Sequence, residues 1–142
     1  MKNLVRVLFI IAAIALTSIA ASAQTSQFIG KFKNIDAATA GNTTLEITGG
    51  GSVVKVHAWG KCSPSDCDWG TVPGYVYSGS AGTDPTTGGK AVSANFVTGF
   101  NETIMIIRPY GKKNYLTVDV YTRFTDTSGR FAYTNTYTFK KV

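Results

Sequence analysis

The chain has 142 residues, 14 of them basic and 8 acidic, with 15 glycines and 12% aromatic residues. That length allows one domain with one hydrophobic core and no second unit. Only 15% of the residues are charged, and with the glycine and aromatic content this excludes a helix bundle, a coiled coil and a disordered tail. The net charge of +6 favours solubility but is no argument for nucleic acid, so no nucleic-acid partner is expected.

Residues Met1 to Ala23 read as a secretory signal peptide. Lys2 and Arg6 form the positive n-region, Val7 to Ile19 the apolar core, and Ala21-Ser22-Ala23 a small-x-small cleavage site. The apolar run is shorter than the ~20 residues a span needs, and no basic stop-transfer cluster follows it. Cleavage before Gln24 is expected. The domain is then 24–142, released to a periplasm or to the outside without stable membrane insertion. Gln24, not a cysteine, stands directly after the leader, so a lipid anchor is not expected. Asn42-Thr43-Thr44 and Asn101-Glu102-Thr103 match glycosylation acceptors, but the leader looks bacterial and their use is not expected.

From Phe28 onward, β-rich runs alternate with turn residues. Strands are predicted near Phe28–Lys33, Thr43–Thr48, Val53–Trp59, Tyr75–Gly79, Ala91–Val97, Thr103–Arg108, Tyr115–Phe124 and Arg130–Lys140. The separators carry turn chemistry: Gly49 to Ser52, Ser80 to Gly89 with Asp84-Pro85, Gly111 to Asn114, and Asp126 to Gly129. No segment has a useful helical period. Leu116, Val118 and Val120 alternate with polar residues, as do Phe131, Tyr133, Tyr137 and Phe139, so each of these strands has one buried face. Eight consecutive antiparallel strands with short links close most simply into an up-and-down β-barrel. A two-sheet β-sandwich is the alternative.

Two loops stand out. Trp59 to Gly70 reads WGKCSPSDCDWG and holds the only cysteines, Cys62 and Cys67. In an exported protein an even count at short range implies a disulfide, and so small a ring stabilises by only about 2 kcal/mol. His57, Cys62, Cys67, Asp66 and Asp68 are all metal-ligand types. Their spacing fits no standard zinc pattern, and no metal is expected. The second loop, Phe124 to Tyr133, reads FTDTSGRFAY. It predicts a hairpin in which Asp126 and Ser128 bond local N–H groups and Gly129 takes a positive φ.

Together these loops resemble a family of small secreted bacterial proteins and appended domains. That family carries an Asn-x-Asp segment, to which Asn34-Ile35-Asp36 is similar, a WGxCxPxxCDWG loop and an FTDxSGRxxY hairpin. The resemblance runs from about Phe32 to Phe139. It implies a lipocalin- or avidin-like barrel and supplies no catalytic residues.

Strand parity then places both loops at one end of the barrel, where small barrels usually take ligands. The candidate ligand-binding residues are Trp59, Asp66, Asp68, Trp69, Asp126, Arg130, Tyr133 and Tyr137. Charge complementarity further predicts that Asp66 or Asp68 meets Arg130 or the N–H groups of the Asp126 turn. A catalytic site would have to use the sole histidine, His57, or a carboxylate pair such as Asp66 with Asp126, and nothing in the spacing singles either out. The expected function is a non-catalytic binding module, without cofactor, for an apolar or aromatic small molecule or a glycan. The alternative is a filled barrel acting as a structural or interaction protein of the cell envelope. Whether the interior around Phe131, Tyr133 and Tyr137 is hollow separates the two.

Overall fold

In the computed structural model, which describes residues 25–142, eight strands follow one another in chain order. They are β1 (Gly30–Asn34), β2 (Asn42–Gly49), β3 (Val53–Gly60), β4 (Cys67–Ser78), β5 (Gly89–Val97), β6 (Asn101–Pro109), β7 (Tyr115–Phe124) and β8 (Tyr133–Lys141). Each pairs antiparallel with the next, and β8 returns to β1, which closes the barrel. The architecture is the up-and-down one expected, of lipocalin- and avidin-like form, and not a sandwich. The leader expected over Met1 to Ala23 lies outside the described residues.

Period two fills the inside. Leu45 and Ile47 of β2, Val54, Val56 and Ala58 of β3, Phe96 of β5, Met105 and Ile107 of β6 and Leu116 and Val118 of β7 are all essentially inaccessible. Outward-facing residues between them pair across strands instead, as in Arg108 with Asp119 (2.5 Å) and Arg123 Nε with Glu102 (2.6 Å). One end is stoppered. The N-terminal turn brings Phe28, fully buried, against Gly89, while the Thr25 hydroxyl donates to the Pro85 and Thr86 carbonyls. Below it sits a single helical turn, α1 (Pro85–Gly88), with Asp84 as N-cap accepting from the Thr86 N–H at 2.8 Å.

Most strand boundaries shift by one or two residues from the sequence reading, and three departures bear on the core and the rim. Phe28 is a turn residue and plug, not the start of β1. β4 begins at Cys67, eight residues before the predicted Tyr75, because Asp68, Gly70 and Pro73 are tolerated opposite β3. β8 begins at Tyr133 and not Arg130, so Phe131 lies in the preceding loop, 91% exposed, and lines no interior.

The opposite end collects the loops 35–41, 61–66, 98–100 and 125–132, which include both motifs. At this rim the wall is incomplete. β1 pairs with β8 only at Phe32, Lys33 and Asn34, opposite Lys141, Lys140 and Phe139, so Tyr133 to Tyr137 rise past the end of β1. Tyr133 shares the inner face with Thr122 across β7, yet it is 49% exposed. The barrel is filled through its middle and opens here.

Candidate functional site

Two β-bulges shape the rim. Between β2 and β3, Asn42 pairs with Gly60 and Thr44 with Trp59, which leaves Thr43 as an extra residue. Between β3 and β4, His57 pairs with Thr71 and Trp59 with Asp68, so Trp69 and Gly70 together oppose Ala58. One inserted residue reverses the inside–outside parity beyond it. Asn42 thereby turns inward and is 1% exposed, and Trp69 turns inward to meet the edge of Phe96 at a ring distance of 5.9 Å. Gly70 supports the second bulge with a φ of +80°, a conformation other residues rarely take. The extra Thr43 is held outside, its hydroxyl donating to Asp66 Oδ2 at 2.7 Å.

Asn42, Trp69, Phe100, Tyr133 and Tyr137 line a cavity of about 380 Å³, with Val120 at its base and the Cys62–Cys67 bridge in its wall. Two glycines make the room. A Cβ on Gly60 would fall 2.7 Å from the Trp69 indole nitrogen, and one on Gly41 only 1.9 Å from the Tyr137 hydroxyl oxygen. Burial raises the pKa of the Tyr137 hydroxyl, the neighbouring Tyr133 adds to the rise, and a hydrogen bond with Asn135 partly offsets it. The phenol therefore stays protonated and able to donate at neutral pH.

The Asn42 amide has an unusual position. Its backbone carbonyl accepts from Asn34 Nδ2 at 2.8 Å, but its own Nδ2 has no partner. Among the described residues it is the one buried side-chain nitrogen or oxygen left in that state. Buried donors are nearly always paired, and this orphan belongs to a residue that borders the rim cavity. Reading the sequence for chemistry missed Asn42, since an asparagine before a β-run reads as turn material. Thr43 following it as a bulge was not visible.

The other candidates are placed as follows. Cys62 and Cys67 form the expected disulfide, which removes both thiols from any metal reading. Among the described residues no group of three or more His, Cys, Asp or Glu side chains gathers as a metal would need. Asp68 is on the outer side of the rim, accepting from the Gly70 N–H at 2.7 Å and lying 2.5 Å from His57 Nε2. The Gly70 N–H, then His57, holds its carboxyl below the ordinary value. Trp59 is also outside, stacked on His57 at 3.9 Å and covered by Lys31. It takes no part in the cavity, unlike Trp69.

The expected pairing between the loops is not formed. Asp66 is bound to Thr43 and lies 4.0 Å from Lys61, while Arg130 reaches Asp126 Oδ2 at 2.7 Å within its own turn. Asp126 also accepts from Ser128, and Gly129 has the anticipated positive φ. In the Asp126 turn, partners two to four residues away close with little loss of chain entropy, while Asp66 is taken by Thr43 at the first bulge. What joins the loops is the cavity, which Cys62 and Cys67 border from one side and Tyr133 from the other. The Arg130 guanidinium meanwhile sits over Phe124, 3.8 Å from the ring centroid, and 5.5 Å from that of Phe100.

A wider depression of about 760 Å³ lies at the stoppered end, walled by Tyr110, Lys112, Lys113, Asn114 and Lys141. It is larger, but it borders exposed turn residues and contains no orphaned buried group, so the rim cavity is the better candidate. No protein-family model, curated protein or solved structure matches the chain. Its class is therefore defined by its own architecture: a small eight-stranded antiparallel barrel, filled in the middle, with a built cavity at one rim.

Proposed function

We propose that this chain is an exported, non-catalytic binding module that takes one end of a small ligand into the rim cavity. The observation that carries the reading is the unpartnered, buried Asn42 amide on a cavity otherwise walled by aromatic rings. Small-molecule sites have this make-up, with apolar and aromatic walls and a few placed polar groups. Two β-bulges direct Asn42 and Trp69 inward, and bulges commonly re-aim side chains beside functional sites. Export is supported by the leader-like residues Met1 to Ala23 and by a disulfide, which persists in oxidising compartments.

A fragment screen read by amide and indole NMR tests the reading. Hits should cluster on Asn42, the Trp69 indole N–H, Tyr133 and Tyr137, and leave the Trp59 indole unmoved. A second reading, a protein-interaction surface, is favoured by a groove of about 320 Å³ on the outer wall, where Ile104 and Tyr121 are exposed. Hits confined to Ile104 and Tyr121 would replace the first reading by the second.

A further inference from the structure

We infer that the rim cavity is a carbohydrate subsite, which holds one uncharged sugar ring with a ring-substituent oxygen accepting a hydrogen bond from Asn42 Nδ2. The inference rests on the rim being the binding site and adds the chemical class of the ligand. Three observations lead to it.

The first is the orphan donor itself. Asn42 Nδ2 lacks an acceptor and is closed to solvent, so the cavity wall must give way slightly for a ligand oxygen to reach it. A hydrocarbon ligand would bring no such oxygen. The ligand must bring an oxygen or an equivalent acceptor into the cavity. The second is the alternation of the lining. Trp69, Phe100 and Tyr137 line the cavity with aromatic rings, while Thr98 and Asn101, paired at 3.0 Å, and the tyrosine hydroxyls offer neutral polar groups. A pyranose has the matching pattern, apolar C–H faces and hydroxyls around the edge.

The third is charge. The charged side chains bordering the cavity are Lys61 and Asp68. Asp68 is engaged by His57 and the Gly70 N–H, and Lys61 faces Asp66 at 4.0 Å. An ionised ligand would have to compete with Asp66 for Lys61, or with His57 and the Gly70 N–H for Asp68, a competition that an uncharged ring avoids. Size sets the stoichiometry. About 380 Å³ is at the low end of ligand sites, with Val120 closing the base, so one terminal ring enters and the rest of a chain lies over the half-exposed Phe100 and Tyr133.

The test is calorimetric and NMR titration of the secreted protein with four probes. These are a hexose oligomer, an N-acetylhexosamine oligomer, a uronic acid oligomer and a planar uncharged heteroaromatic. At least one neutral oligosaccharide should bind and shift the Trp69 indole N–H, with the uronic acid oligomer at least tenfold weaker. Asn42→Leu should weaken the sugar tenfold or more while the amide spectrum stays folded. If that variant does not fold, Tyr137→Phe serves the same purpose, with a weakening of at least threefold. Binding of the heteroaromatic alone at Trp69, or sugar affinity unchanged in Asn42→Leu, would overturn the carbohydrate assignment and leave the rim site standing. Binding by no probe, or shifts confined to Ile104 and Tyr121, would overturn both.

Discussion

Replacing Asn42 by Leu should make the unliganded protein more stable, which is an unusual outcome for a polar substitution in a native core. The side chain is 1% exposed and its Nδ2 is unpartnered, while the carbonyl that accepts from Asn34 belongs to the backbone and survives the change. An unpaired buried donor costs about 1–3 kcal/mol. Leucine is close in shape and removes that cost, but it fills the same enclosed space and gains little further packing. The net gain is about 1–2 kcal/mol, and for a domain of this size the melting temperature should rise by about 4–8 °C. Urea unfolding is the direct assay: the midpoint should move up with an unchanged slope. Asn42→Asp makes the opposite perturbation, putting a carboxylate where the donor was, and should lower the midpoint. A lower midpoint for Asn42→Leu would mean that the amide sustains the native fold, and the ligand argument built on it would fail. Saturating ligand should stabilise the natural chain and leave Asn42→Leu much less affected, since only binding to the native state adds stability.

Gly41→Ala places a Cβ on the Tyr137 hydroxyl, so the ring must move at a cost of about 1–3 kcal/mol; an unchanged urea midpoint with Tyr137 unmoved by NMR would contradict this. Replacing both Cys62 and Cys67 by Ser should cost about 2 kcal/mol without loss of the fold, because the closed ring is short; a circular-dichroism melt that shows no folded state would show that the loop does more than close. Asp68, Asp84, Glu102 and Asp126 all have folded pKa values lowered by local hydrogen bonds, from ordinary values of 3.8 for aspartate and 4.5 for glutamate. Their contribution to stability is therefore complete above those ordinary values and is lost as pH falls through the depressed ones. Melts from pH 7 to pH 2 should be flat near pH 6 and decline below about pH 4; a decline centred near pH 6 would refute the assignment to these carboxylates.

Local periodicity made much of the barrel legible. β7 runs from Tyr115 to Phe124 as predicted, because Leu116, Val118 and Val120 alternate with polar residues and Asn114 and Thr125 lie outside the run. The Asp126 turn was also legible, since Asp, Ser and Gly at those spacings satisfy one another without help from the rest of the chain. Cys62 and Cys67, five positions apart, required no tertiary information to be paired. Strand parity then put both motifs on one rim, which is a property of chain order alone in an up-and-down barrel. The strands, their sequence around the barrel, the disulfide and the shared rim were thus determined by short-range patterns.

The interior of the rim was decided elsewhere. Trp59 and Trp69 flank the same loop and look equivalent in the sequence, but one is outside on His57 and the other inside on Phe96. The difference is the extra residue at Gly70, which exists only in relation to Ala58 across the ladder. Asn42 is inward for the same reason, by way of Thr43. Phe131 and Tyr133 obey one period-two pattern, yet the first is in a loop because the β7–β8 ladder ends at Thr122 and Tyr133, and Arg123 and Phe124 pair only with β6. Side-chain alternation is local and can be read along the chain. Where that alternation is reset depends on which residue lies opposite, and only the closed barrel brings those residues together.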